Sequence, residues 1–413
     1  MKKIAIIGAG ITGVTTAYAL SLRGYDVTVF DRNRYPAMGT SYANGGQLSA
    51  SNTEVWNSWQ TIWKGLKWML SPAAPFLLNP APTWHKLSWF AEFIGHIGKY
   101  EVNTITTTRL AIEARKHLLA WAETEAIDFD WKPKGILHIY RSQKDLAGAR
   151  KVNATLQQGG LERFEVSNAE IRKIEPAISL DCTGGFYTPA DSTGDIHKFT
   201  RGLAKAAMRR GVVFRQEAEI SSVAATSNGV VVGWHPVQNS LAETPNPEFI
   251  GFDALVVCAG IYSRALAAKL GDRINIYPVK GYSITVQLDD ERSQAAAPNV
   301  SLLDDAAKIV TSRLGDSRFR VAGTAEFNGA NYNIRNDRVR PLIDWVRELF
   351  PDMATDRVIP WAGLRPMTPN MMPKVGQGRK PRVFYNTGHG HLGWTLSAGT
   401  AEAMAQCIAA ARL

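Results

Sequence analysis

Cysteine is scarce in this chain: Cys182, Cys258 and Cys407 are the only three in 413 residues. They are widely spaced and form no CxxC pair, which excludes a disulfide framework, offers no zinc-site spacing and points to a reducing compartment. Runs of 18 or more apolar residues are lacking as well, so no membrane-spanning helix is expected. Neither internal repeats nor low-complexity linkers occur, which argues against independent domains on a long tether. Basic residues outnumber acidic ones, 47 to 37, for a formal charge of +10. Yet the densest basic clusters are "MRRG" at 208–211 and "GRKPR" at 378–382, and no aromatic-interleaved basic run accompanies them. Nucleic acid is therefore not an expected partner. The opening "MKKIAII" begins like a signal peptide, but its apolar run stops at Gly8 without an A-x-A-like cleavage site. It reads as a buried strand, and the protein as cytoplasmic.

What is present is a globular α/β composition, with 45% hydrophobic residues, 20% charged and 35 glycines, in a chain long enough for about two domains. Residues 3–7 are apolar, 11–23 carry helical periodicity and "YDVTVFD" at 25–31 alternates like a strand, giving a βαβ unit. Its turn, "GAGITG", is a G-x-G-x-x-G pattern at Gly8, Gly10 and Gly13. Gly8 permits the tight turn, Gly10 lets backbone N–H groups reach a pyrophosphate at the helix N-terminus, and Gly13 lets helix and strand pack closely. Ile11 and Thr12 begin that helix. Asp31 ends the second strand at the distance where a carboxylate accepts from a ribose 2′-OH, and Arg32 follows it. An acid there repels a 2′-phosphate, which leaves NAD or FAD.

Further along, helices are expected at 107–126, 196–211 and 336–350, with a last one from about 396, and consecutive strands fill 276–323. The layout is a nucleotide-binding domain made of 1–48, 150–272 and 345–413, with a substrate domain made of 49–149 and 273–344. Residues 56–89 hold six of the twelve tryptophans (Trp56, Trp59, Trp63, Trp68, Trp84 and Trp89) together with Lys64, Lys67 and Lys86. Their spacing suits a helix with one aromatic face and a basic edge. That face either packs on the protein's own core or attaches peripherally to an acidic membrane surface.

Five stretches in one order span nearly the whole chain: "SYANGGQLS" (41–49), "GLKWML" (65–70), "YPVKGYSITV" (277–286), "WAGLRPMTP" (361–369) and "NTGHGHLGWTLSAG" (386–399). In these the sequence resembles the FAD-dependent oxidoreductases of the D-amino acid oxidase and glycine oxidase class. Within that class it is most similar to the bacterial D-amino acid dehydrogenase small-subunit family. The resemblance implies an α/β fold, a Rossmann-like FAD-binding domain with an inserted β-sheet substrate domain. A flavin ring needs hydrogen bonds at its edges and one open face. Ser41 and Asn44 offer hydroxyl and amide bonds, Gly45 and Gly46 a close backbone, with Gln47 and Leu48 completing the loop. Gly388, Leu392, Gly393, Trp394 and Thr395 form a loop and helix start facing the flavin's pyrimidine edge. Ala259 and Gly260, in "VVCAGIYS", resemble the second small-residue turn near the FAD phosphates, and Ile220 sits where a contact to adenine is usual. His389 and His391 lack a nearby acid, so no metal is expected.

For the substrate, the resemblance assigns Arg365 to clamp an amino acid's carboxylate bidentately, Tyr282 as its hydroxyl partner, and His391 and Lys280 as further catalytic candidates, Lys280 for tuning flavin or oxygen chemistry. The implied reaction is oxidative deamination: hydride passes from Cα to flavin N5, and the imine hydrolyses to a 2-oxo acid and ammonia. Electrons go on to a quinone or other acceptor, which suits a peripheral place on the inner face of the cell membrane. The alternatives are an oxidase of glycine, N-alkyl or cyclic (proline- or hydroxyproline-type) amino acids using oxygen, and a non-catalytic flavin-binding protein at a membrane. The family pattern is broken by "SASNTEVW" at 49–56, where Asn52, Glu54 and Trp56 replace a Pro-, Gly- and Ala-rich stretch. These three are the expected determinants of specificity.

Overall fold

The computed structural model describes residues 1–68, 74–237, 246–411 and 413. The end of "GLKWML", Met69 and Leu70, and residues 71–73 of the tryptophan-rich segment lie outside the described residues. A six-stranded sheet runs Lys374–Gln377, Val383–Thr387, Ala254–Val257, Lys3–Ile7, Asp26–Phe30, Val213–Arg215. All its pairings are parallel except the first. Parallel sheets are covered on both faces, so their strands read as continuous apolar runs. In "KIAII", Ile4 and Ile6 face one core, under helices Ile11–Ser21, Ile196–Arg209 and Gly393–Ala410. Ala5 and Ile7 face a second core, under the antiparallel strands Ala218–Ala225, Val230–Pro236 and Glu248–Phe252. The period-2 alternation of a strand thus divides one short run between two cores.

A nine-stranded sheet forms the other layer. Its path runs Val358–Met367, Tyr277–Gln287, Arg318–Phe327, Ile309–Leu314, Ser301–Asp304, Ile136–Tyr140, Gly184–Thr188, Phe164–Val166, with Phe76–Leu78 pairing beside Arg318–Phe327. Helix Asn336–Leu349 covers one of its faces through Val339, Leu342, Trp345, Val346 and Leu349. The expected helices at 107–126 and 196–211 are Tyr100–Thr124 and Ile196–Arg209.

The expected domain segments differ from this sheet division in two places. Gly184–Thr188 pairs with Ile136–Tyr140, and Phe164–Val166 pairs with Gly184–Thr188, so this part of 150–272 joins the large sheet. Val358–Met367, expected with 345–413, pairs with Tyr277–Gln287 along its whole length, from Tyr277↔Met367 to Val286↔Val358. Ladder hydrogen bonds between segments distant in sequence set these memberships, and local periodicity does not carry them.

Candidate active site

The nucleotide end is built by the glycines. Gly8 has φ +109°, and a Cβ there would lie 2.5 Å from the Cys258 carbonyl oxygen; a Cβ on Gly13 would lie 1.8 Å from that of Gly8. Only glycine fits either position, and the helix start is thereby held against the strand ends. Asp31 accepts from the Ala9 N–H at 2.6 Å and from the Asn33 backbone and side chain at 2.8 Å. Arg32 lies over the Tyr262 ring, 4.1 Å from its centroid. Ser41 is at the helix N-terminus, where its Oγ accepts from the Ile11 N–H at 3.0 Å and caps a donor that Gly10 has no side chain to satisfy. Gly8, Gly10, Ile11, Thr12, Asp31, Arg32, Ile220, Ala259 and Gly260 share one cavity wall, while Gly13 serves packing alone.

The 41–49 loop is bolted to the large sheet. Ala43, Asn44 and Gly45 carbonyls accept from Ser283 Oγ (3.0 Å), Arg320 Nη1 (3.2 Å) and Ser312 Oγ (2.7 Å), and Gln47 Nε2 donates to Ser301 Oγ (2.7 Å). Cβ atoms on Gly45 and Gly46 would each come within 2.7 Å of the sheet's side chains, Val310 and Ser312. One expectation changes here. Asn44 lines the cavity while its side-chain oxygen accepts from the Gly46 N–H at 2.9 Å, closing its own turn, but Leu48 turns from the cavity into the core beneath the helices.

The second glycine loop sits between strand Val383–Thr387 and helix Gly393–Ala410, with Gly388 and Gly390 both at positive φ. Leu392, Gly393, Trp394 and Thr395 line the cavity, and Thr395 Oγ1 accepts from the Ser49 N–H at 3.3 Å, joining the two loops. His389 pairs with Thr400 Oγ1 at 3.0 Å and is held neutral by burial, its pKa down to about 3. His391 contacts the Asn52 carbonyl at 3.3 Å and stacks on Trp56 with centroids 4.9 Å apart. Burial, with the charge of Arg365 second, lowers its pKa to about 4.

Arg365 lines the same cavity, on the strand whose Met367 bridges to His389. Its guanidinium lies flat over Gly281, where a Cβ would be 2.3 Å from Nη2 and 2.4 Å from Cζ. Nη1 donates to the Thr324 carbonyl at 2.8 Å. That carbonyl is turned out of the ladder because Arg318–Phe327 carries an extra residue opposite Gly281, between the Lys280↔Glu326 and Tyr282↔Gly323 pairs, with Thr324 at φ +62°. Burial lowers the pKa of Arg365 to about 10, leaving it cationic at neutral pH, and among the described residues no carboxylate pairs with it. Sequence reasoning missed Gly281 and Thr324. A glycine inside a strand was the available signal for the first; nothing in the sequence marks the bulge.

Tyr282 and Lys280 do not join this group. Strand alternation sends Gly281 toward Arg365 and sends its two neighbours to the other face of the sheet. There Tyr282 donates to Glu326 at 2.7 Å and Lys280 pairs with the same carboxylate at 3.2 Å, both partners almost fully buried. Their side-chain polar groups are thus taken up by Glu326, although Tyr282 also lines the cavity.

The cavity measures about 1090 Å³ and is continuous from the Gly8–Thr12 turn, past the 388–395 loop, to Arg365. Its volume, glycine cradle and carboxylate at Asp31 fit a dinucleotide with a small molecule beside it. This is the frame of a flavin oxidoreductase. Residues 3–407 match the DAO family, FAD dependent oxidoreductase, and the chain belongs to that family, with FAD as its cofactor. It is 58% identical over 409 residues to D-amino acid dehydrogenase 3 of Mesorhizobium japonicum, covering 99% of this chain and 97% of the relative. It is 38% identical to the D-amino acid dehydrogenase of Dechloromonas aromatica, with 99% and 97% covered. In fold it is similar to glycine oxidase from Bacillus cereus, with TM-score 0.74, 18% identity, and 100% and 98% of the two chains covered. L-proline dehydrogenase from P. horikoshii gives TM-score 0.74 at 16% identity, with 98% and 93% covered. The expected α/β, glycine oxidase-like architecture is therefore the one observed.

Proposed function

We propose that the protein is an FAD-dependent dehydrogenase that oxidatively deaminates an α-amino acid of D configuration. The observation that carries this reading is Arg365: a guanidinium seated on Gly281, facing a dinucleotide cavity, with no carboxylate among the described residues to neutralise it. A substrate carboxylate fits its fork bidentately. Bound FAD supplies the two-electron acceptor. The chain supplies orientation, which is worth up to ~7–11 kcal/mol in favourable cases: Arg365 fixes the carboxylate end, and neutral His391, stacked on Trp56, closes the wall beside it without adding charge. Water hydrolyses the released imine to a 2-oxo acid and ammonia, and no protein base is needed when the amine enters neutral. For the cofactor, Gly8, Gly10, Ile11 and Thr12 serve the pyrophosphate, Asp31 and Arg32 the ribose side, Ile220, Ala259 and Gly260 the adenine half. The loops at 41–47 and 388–395 serve the ring.

Electrons pass to a quinone at the inner face of the cell membrane. Helix Trp59–Trp68 supports this: Thr61, Lys64, Gly65, Leu66 and Trp68 line the cavity, while Trp59 (58% exposed) and Trp63 (64%) face outward. Trp84, Leu87 and Ile94 are exposed as well. Trp56 and Trp89 are inside, so the aromatic segment divides between core and surface. Among the described residues no helix is long and apolar enough to cross a membrane, so the contact is peripheral. The test is anaerobic reduction of the holoenzyme by a panel of D- and L-amino acids, followed by reoxidation with a quinone analogue or with oxygen. Stoichiometric peroxide would favour an oxidase, and co-sedimentation with anionic vesicles reports the membrane contact.

A further inference from the structure

The segment that breaks the family pattern is an extended strap across the cavity. Its even residues Asn52, Glu54, Trp56 and Ser58 line the cavity. Its odd residues anchor it: Thr53 to Thr108 at 2.8 Å, Val55 among Trp89 and Phe93, and Asn57 to the Phe93 and Pro369 carbonyls at 2.9 and 2.8 Å. The Asn52 carbonyl meets His391, the ring that feels the charge of Arg365. Two residues span at most about 7 Å, so Glu54 stands close to the same chamber. Its Oε1 accepts from the Tyr100 hydroxyl at 2.6 Å; no protein group among the described residues donates to Oε2.

The surrounding charges decide what Oε2 would take. Lys308 is paired with Asp305 and Lys64 with Asp145. Arg163 is buried, lies over Phe186 and reaches Tyr140 at 3.3 Å. A cationic group would meet Lys308 and Arg163, which act on Glu54 and are only partly offset by Asp305; an anionic one would meet Glu54 itself. An apolar group would leave a buried carboxylate oxygen unsatisfied, at a cost of about 1–3 kcal/mol. A neutral hydroxyl donates to Oε2 and brings no charge. Resting on the function proposed above and deepening it, we infer that Glu54, oriented by Tyr100, forms a subsite for a hydroxyl on the side chain of the amino acid whose carboxylate Arg365 holds.

The experiment uses the flavin-loaded enzyme and two isosteric pairs that differ only in hydroxyl against methyl: D-threonine with D-valine, and D-homoserine with D-norvaline. The expected kcat/KM ratio favours the hydroxylated member at least tenfold in one pair. Glu54→Ala should lower the value for the hydroxylated member at least tenfold more than for its apolar isostere. Glu54→Gln, which keeps the size of the residue, should narrow the ratio at least threefold, and Tyr100→Phe by less. Equal rates for both members in the wild type, or a ratio unchanged in Glu54→Gln, would overturn the subsite while leaving the dehydrogenase reading intact. Failure of every amino acid to reduce the flavin would overturn that reading and the subsite with it.

Discussion

Gly281→Ala isolates the carboxylate clamp without touching the arginine. The added methyl would sit 2.3–2.6 Å from Nη2, Cζ and Nη1 of Arg365. These are the free end of a long side chain, so the backbone stays and the guanidinium moves off its seat. The residue lies in the Tyr277–Gln287 strand without a positive φ, so alanine brings no backbone strain. Displacement breaks the Nη1 bond to the Thr324 carbonyl and misaligns the fork that would hold the substrate. A hydrogen bond to a charged group contributes about 1.5–3 kcal/mol, which corresponds to a loss in kcat/KM of roughly 10- to 150-fold. Steady-state kinetics on a D-amino acid, with flavin content measured by absorbance, should show that loss with FAD retained. Adding Arg365→Ala to the variant should cost far less than it does in the wild type, because the two positions act through one interaction. A kcat/KM within about twofold of wild type, FAD being bound, would refute the placement of Arg365 at the substrate.

Lys280→Ala strands the Glu326 carboxylate in the core and should cost about 3–5 kcal/mol in denaturant melts; Lys280→Met with Glu326→Gln should recover most of it. Tyr282→Phe should cost about 1–3 kcal/mol while turnover per bound flavin stays near wild type; a selective collapse of turnover would restore these residues to the chemistry. His389 and His391 titrate near 3 and 4 when folded, against about 6.5 unfolded. The unfolded chain therefore binds more protons, so stability is full above about pH 6.5 and falls as pH drops. By about pH 5 the loss is roughly 2 kcal/mol per histidine, and His389→Gln or His391→Gln should flatten the Tm profile; an unchanged slope would contradict their burial as neutral rings.

The nucleotide half was largely legible in the sequence, because Gly8, Gly13 and Asp31 do local work: a turn, a close packing contact and a carboxylate one strand away. Arg365 was singled out by its motif, and the structure sets it at the cavity. The facing of Lys280 and Tyr282 was not, since "YPVKGYSITVQ" is buried at every position but the last and no polar alternation marks the cavity side. Thr324 was invisible for a related reason: its role comes from a bulge defined only by pairing with a distant strand. Similarly, the tryptophan spacing revealed the helix Trp59–Trp68 but not that Trp56 precedes it, and which rings are covered depends on the wall it lies against.

The account rests on a flavin reduced by an amino acid held at Arg365. Anaerobic titration of the holoenzyme with D-amino acids measures this directly through the flavin's visible absorbance. The expected result is full bleaching by at least one D-amino acid, with a 2-oxo acid formed in equal amount, and severe weakening of the response in Arg365→Ala despite bound FAD. No bleaching by any D-amino acid, or undiminished bleaching in Arg365→Ala, would contradict it.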